Sequence, residues 1–390
     1  MQTSKSVVIV VLGATQTLAW ASSYYLPAIL ADRIAGDLDL ASTWFFAAFS
    51  LALVISALLG PRVGRTVDAI GGREVLAASN AIMAVGLAAL AAARSPTMLW
   101  FAWLILGAGM GIGLYDTAFA TLGRMYGTAA RSAITGITLI AGFASTIGWP
   151  LTAWGASTLG WRETCLAWSA AHLLLGLPLN YFFLPRPSNI VIAHKANGKP
   201  TIAIDARMLV LGLAFAASWM VVAGMAVHLP RILEVAGATT TEAVAAGALI
   251  GPAQVGARLL EATFFKRFHP LVSARLSVAL HPIGAAAVAV FGAAAAASTL
   301  AVLHGAGSGI LTIARGTVPL AMFGPRNYGF RLGLLGAPSR IAMAAAPLLF
   351  AMLIERYGLS VLIFSSTLNI AALLGLSPLS TKLSSPDSQK

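Results

Sequence analysis

Apolar residues fill twelve long runs of the chain, and short polar breaks separate them. The runs lie at roughly 6–31, 41–60, 74–93, 97–119, 132–157, 163–184, 207–229, 242–264, 273–295, 298–320, 332–354 and 359–378. Each is long enough to cross the hydrocarbon core of a bilayer as a helix. The pattern predicts an all-α polytopic membrane protein with twelve transmembrane helices. Composition agrees: 58% of the 390 residues are hydrophobic and 10% are charged, against about 25% charged in a soluble domain. The first run contains Ala19-Trp20-Ala21, which loosely fits a signal-peptidase site, but it continues some ten residues further. That exceeds the apolar stretch of a signal peptide, so the run is expected to stay as helix 1.

The net charge of +12 and the pI near 10.4 invite a nucleic-acid reading. The distribution of the charge removes it. When the loops are assigned alternately to two sides, one side (the N-terminus, 60–73, 120–131, 185–207, 265–275, 322–331 and the tail) carries 17 Lys and Arg and the other carries 5. This asymmetry is the one that places cationic loops in the cytoplasm. Both termini are therefore expected there, in the inner (plasma) membrane, with the lipid bilayer as partner and no nucleic acid. The single cysteine, Cys165, excludes an intramolecular disulfide and a thiol metal cluster.

The stretch GAGMGI at 107–112 returns as GAGSGI at 305–310. Other pairs share nearly that offset: LPAIL at 26–30 with LPRIL at 229–233, Trp20 with Trp219, Pro150 with Pro347, and LLGLPL at 174–179 with LLGLSPL at 373–379. The chain reads as a duplicated six-helix unit. The expected division is an N-terminal bundle over 1–185, a cytoplasmic linker over 186–206 and a C-terminal bundle over 207–390. Both glycine runs fall inside apolar helices 4 and 10, so neither suits a phosphate loop, which follows a strand. Small residues let helix backbones approach closely, and the alternating glycines read as packing seams.

The loop GRTVDAIGGRE resembles the signature between helices 2 and 3 of the major facilitator superfamily. Gly64, Asp68, Gly71 and Arg73 match it, while Ala69 and Gly72 stand where the family has basic residues. GFASTIGWPLTAWG at 142–155 is similar to the family's glycine–proline motif on helix 5, interrupted by Trp149, and LGWRE at 159–163 resembles its next loop. Trp103 replaces the arginine that efflux members carry before the glycine run. The resemblance implies two six-helix halves working by alternating access, with substrate held near the midplane. It also implies that Gly64, Asp68 and Arg73 form a conformational latch.

Five charged residues fall deep in the expected spans: Asp116, Arg258, Glu261, Arg315 and Arg340. An ionisable group at that depth costs at least about 2.5–3.5 kcal/mol, so it is expected to have a task. Three arginines against two carboxylates point to an anionic substrate, because a guanidinium grips a carboxylate through two parallel hydrogen bonds. Gln254 and Arg258 lie four apart, on one helix face. Arg258 also resembles in position the helix 8 arginine of monocarboxylate and oxalate-type carriers, where Gln254 replaces the monocarboxylate carriers' acid. Arg340 is a second candidate for substrate, and Arg315 is expected to gate or to pair with Asp116 or Glu261. Tyr24, Tyr25 and Trp219 read as substrate-facing aromatics or as an interfacial belt, and His228 as an outer gate or proton site. His172, His281 and His304 read as core packing.

No H-E-x-x-H, G-x-S-x-G or Walker loop is present, so no enzyme, cofactor or metal is expected. The leading expectation is a monomeric secondary carrier for a small organic anion, by proton symport or anion exchange. The rival is a proton-coupled efflux carrier for drugs or other hydrophobic or metalloid-linked compounds.

Overall fold

The computed structural model describes residues 4–186 and 204–379. Most of the expected linker, residues 187–203, and the tail from 380 lie outside them. The described chain is helical: α1 Lys5–Ser22, α2 Pro27–Asp37, α3 Ser42–Ile70, α4 Arg73–Ala91, α5 Pro96–Gly113, α6 Tyr115–Tyr126, α7 Arg131–Ala141, α8 Ala144–Thr158, α9 Trp161–Ala171, α10 Leu177–Phe183, α11 Ala206–Val235, α12 Thr240–Ala248, α13 Ile250–Thr263, α14 Pro270–Phe291, α15 Ala293–Phe323, α16 Tyr328–Tyr357 and α17 Ser360–Leu376.

Ten helical stretches among the described residues are long and apolar enough to cross a membrane. One of them, Pro96–Thr158, runs for 63 residues and holds two of the expected spans, and the shorter apolar helix Ser360–Leu376 holds the last. All twelve expected spans thus fall on helix. Large apolar side chains stand outward along these helices: Leu174, Phe182, Val290 and Leu348 are each at least 70% exposed. Such a surface is stable against lipid rather than water.

Local signals set the helix ends. Ser95 accepts the amide of Met98 ahead of Pro96. Asp205 accepts that of Met208. Thr239 and Glu242 cap α12 reciprocally. Each arrangement satisfies amides that a helix start leaves without intrahelical partners. Gly292, at φ 78°, makes the sharp corner between α14 and α15.

The chain divides into two compact units. One comprises Met1–Ala203 with Pro325–Ala337; the other comprises Ile204–Gly324 with Pro338–Lys390. In the first unit, α5 packs on α3 and α4. A Cβ on Gly107 would meet the Ala52 backbone at 2.6 Å and one on Gly111 the Ser56 backbone at 3.0 Å, both on α3. Gly109 and Gly113 face Met83 and Ser79 of α4 in the same way. Alternate glycines therefore serve two neighbours, as a helix that places i and i+4 on one face requires.

The second unit repeats the device. Gly305 and Gly309 lie against the backbone of Ile250 and Gln254 on α13, and Gly307 against Ser277 on α14. Its apolar core gathers Val221, Met225, Leu229, Leu300 and Phe350.

Candidate functional site

In the first unit, helix 4 of the sequence reading is broken. α5 stops at Gly113, Leu114 is extended (φ −81°, ψ −172°), and α6 starts at Tyr115. The break puts Asp116, 7% exposed, in the first turn of α6, where a helix N-terminus favours a carboxylate. It also takes the Gly113 carbonyl out of the backbone ladder. Gln16 fills the gap, its Nε2 donating to Gly113 O at 2.6 Å. A backbone group freed at membrane depth needs such a partner.

Aromatic rings gather beside the break. Trp20 touches Tyr24, Tyr25 and Tyr115, with ring centroids 5.2, 5.9 and 5.0 Å apart. Tyr115 stacks on Phe119, and Tyr24 meets Phe49 edge-on. Tyr25 packs against Trp149, whose Nε1 donates to the Tyr25 carbonyl. Tyr24 and Tyr25 thus belong to one aromatic cluster. Gln16, Phe49 and Tyr115 were not among the sequence candidates. Trp103 is fully buried and wedged against Phe45 and Phe49.

The Asp68 carboxylate takes two backbone amides at the start of α16, Gly329 N on Oδ1 and Phe330 N on Oδ2, each at 2.8 Å. Arg124 donates to the Asp68 carbonyl. Gly64 leaves room for the approach: a Cβ there would collide with the Gly329 backbone. Arg73, 6% exposed, turns elsewhere. Its Nε donates to the Tyr181 carbonyl, and its guanidinium lies 4.4 Å from the Tyr181 ring centroid. The signature residues thus take different partners: Asp68 caps a helix and Arg73 anchors α4 to α10.

An anion at a helix start is worth about 0.3–2 kcal/mol, depending on burial. Asp68→Asn is expected to speed hydrogen exchange at Gly329 and Phe330 by roughly five- to thirtyfold, the factor that about 1–2 kcal/mol produces. Mass-spectrometric exchange on purified protein reads this directly. Unchanged exchange would remove Asp68 from that role.

Among the described residues of the second unit, four charged side chains are buried: Arg258, Glu261, Arg315 and Arg340, between 1% and 9% exposed. α13 carries Gln254, Arg258 and Glu261. Gln254 Nε2 donates to Ser308 Oγ on α15 at 3.0 Å, and Glu261 Oε2 accepts from Ser273 Oγ on α14 at 2.7 Å. The Arg315 guanidinium lies 5.6 Å from the Trp219 ring centroid, within cation–π range. Two candidates that the sequence kept apart, an arginine of α15 and an aromatic of α11, are therefore neighbours. His228 Nε2 donates to the Pro347 carbonyl at 2.8 Å. Among the described residues no group of three or more His, Cys, Asp or Glu side chains is placed to hold a metal ion.

A family model described as Major Facilitator Superfamily matches residues 11–303. Among solved structures, the chain is similar to the human organic anion transporter MFSD10 (TETRAN), at TM-score 0.75 and 18% identity, covering 96% of this chain and 100% of that one. It is also similar to the proton:xylose symporter XylE, at TM-score 0.73 and 13% identity over 95% and 94% of the two chains. The fucose:proton symporter FucP of E. coli gives TM-score 0.68 at 13% identity over 94% and 97%. A relative from Thermoproteus tenax, described as an uncharacterized 38 kDa protein in a 23S RNA operon, is 30% identical over 169 residues. That match spans 43% of each chain, less than half of the relative's length.

Proposed function

Since the chain belongs to the Major Facilitator Superfamily and is a secondary transporter by family, we propose that its substrate is a small organic anion, moved by proton symport or anion exchange. The observation that supports this reading is the charge buried among the described residues of the second unit: three guanidiniums, Arg258, Arg315 and Arg340, and one carboxylate, Glu261. Keeping cations in a dry interior is costly, and an incoming carboxylate offsets that cost. Arg258 and Arg340 take the role of carboxylate donors, and Gln254 holds the neighbouring turn of α13 to α15 through Ser308. Trp219 fixes the Arg315 side chain, which suits a gate.

The test is ligand-induced stabilisation of the purified protein. Small mono- and dicarboxylates are expected to raise its melting temperature. If lipophilic cations and drugs stabilise it while carboxylates do not, the efflux reading takes the place of this one.

By the same reading the carrier works as a monomer in the inner (plasma) membrane, with both termini in the cytoplasm. A reporter fused after Lys390 is expected to signal cytoplasm. A signal from the opposite side would overturn the assigned orientation.

A further inference from the structure

The second unit holds a small polar cavity that the arginine reading does not use. About 10 Å3 of it is open, room for the centre of about one water-sized species. Its polar walls are Ser218 of α11, Ser277 and His281 of α14, His304 and Ser308 of α15, and Asn369 of α17. All six are buried, none more than 5% exposed.

The hydrogen bonds around the cavity are all satisfied by one placement of the protons. A serine hydroxyl has one proton to give. Ser218 gives its own to the Ala214 carbonyl, Ser277 to Ala274, and Ser308 to Gly305. Ser308 Oγ also accepts from Gln254. None of the three has a proton left for the cavity.

The histidine pair runs the same way. Ser365 gives its proton to the Leu362 carbonyl, so at 2.9 Å it accepts from His281 Nε2. A neutral His281 then carries its proton on Nε2 and accepts on Nδ1. In that tautomer His304, whose Nδ1 lies 3.1 Å from His281 Nδ1, is the donor across the contact. This leaves His304 Nε2 as a bare lone pair. Asn369 Oδ1 is buried with no hydrogen-bond partner among the described residues.

The cavity walls therefore hold three hydroxyl oxygens and one imidazole nitrogen with lone pairs to offer, beside the Asn369 side-chain amide, which has an acceptor oxygen and a donor nitrogen. We propose that it is a binding site for one small monovalent cation, either a proton held on His304 Nε2 or a sodium ion. The shared chemistry is a single positive charge solvated by neutral lone pairs. A proton on Nε2 would make a donor among the hydroxyl oxygens of Ser218, Ser277 and Ser308, none of which has a proton to oppose it. A sodium ion would find hydroxyl and amide oxygens, the ligands that hard cations take. A divalent ion is disfavoured, since no carboxylate lines the cavity to offset its charge.

The charged and titratable groups on the surrounding helices lie elsewhere. α13 brings Arg258 and Glu261, α14 Arg275, α15 Arg315 and α12 Glu242. α11 brings Arg207, His228, Arg231 and Glu234, and α17 brings none. None of these lines the cavity, so among the described residues the titratable groups in its walls are His281 and His304.

The site also touches the residues proposed for substrate. Ser308 joins the cavity to Gln254, one turn before Arg258. Ser218 precedes Trp219, on which Arg315 rests. Occupancy by a cation is positioned to shift the proposed anion donors, which is what coupling an ion to a solute requires.

The test needs no organic anion, so its failure is separable from failure of the anion reading. Thermal unfolding of the purified protein is recorded at about pH 8, the neutral end of the imidazole range. Sodium chloride is titrated against N-methylglucamine chloride at constant ionic strength. The 15N spectra of histidine-labelled protein are followed from about pH 8 to about pH 5, the range in which imidazole changes charge. The coupling between the two Nδ1 atoms across their hydrogen bond identifies the pair without a variant.

A sodium-dependent rise in melting temperature that is lost in Ser277→Ala and in Asn369→Leu supports the sodium form. Conversion of His304 Nε2 to N–H within that pH range, with no sodium response, supports the proton form. No sodium response together with an unprotonated Nε2 throughout leaves the cavity a place for water alone and overturns the proposal.

Discussion

Arg258→Lys is expected to bind a small carboxylate about ten- to a hundredfold more weakly than the parent chain, the factor that losing about 1.5–3 kcal/mol of charge-assisted hydrogen bonding produces. Charge alone does not serve here. A lysine is a point donor on a flexible stem and cannot reproduce the planar fork that meets both carboxylate oxygens. Arg258 is 5% exposed, so water does little to soften the loss.

Arg258→Ala is expected to abolish the ligand-induced thermal shift and to lower the melting temperature of the empty protein. It leaves Glu261, 1% exposed, without the compensating charge three positions away on the same helix. The decisive comparison is Arg258→Ala with Glu261→Ala. If Arg258 is a donor to substrate, the double variant recovers stability but not ligand response. If both recover, Arg258 is scaffolding and the anion reading loses its main support.

The second large effect belongs to the glycine seam. Gly107→Val is expected to cost about 1–3 kcal/mol or more, because added methyl groups in a packed interior force the backbone to move. The Cβ alone would sit 2.6 Å from the Ala52 carbonyl oxygen and 2.7 Å from its Cα, and backbone cannot step aside as a side-chain tip can. Gly256→Ala in α13 is the matched control. Nothing lies within 4 Å of its added Cβ, and removing glycine from a helix interior is worth about 0.5–1 kcal/mol. Melting temperatures of the two variants should move in opposite directions. A Gly107→Val protein as stable as its parent would mean that α5 does not need close backbone approach.

The spans and the duplicated glycine runs were legible because both are properties of local sequence. Twenty apolar residues are a helix in lipid whatever they pack against, and glycine has few other reasons to recur at alternate positions there. The candidate arginines were legible for a similar reason, since charge at depth stands out from any apolar background.

What stayed hidden depends on partners distant in the chain. Asp68 binds two backbone amides more than 260 positions away, and amides leave no trace in a residue alphabet. His281 and His304 meet only because α14 and α15 fold back on each other, so each read alone as core packing. Arg315 and Trp219 are neighbours because of how α11 lies on α15, which neither residue announces alone. The break at Leu114 has no proline to announce it, and it follows a glycine run whose other members stay helical.

That break has a mechanical corollary. In an unbroken helical turn each carbonyl is locked to an amide of the same helix, so exposing one means tearing helix. At Gly113 the lock is a side chain, the amide of Gln16, a bond worth about 1 kcal/mol net. Withdrawing that amide would uncover a bare carbonyl at membrane depth while leaving the ladders of α5 and α6 whole. Of the polar contacts described in the first unit, this one is a latchkey rather than a rivet.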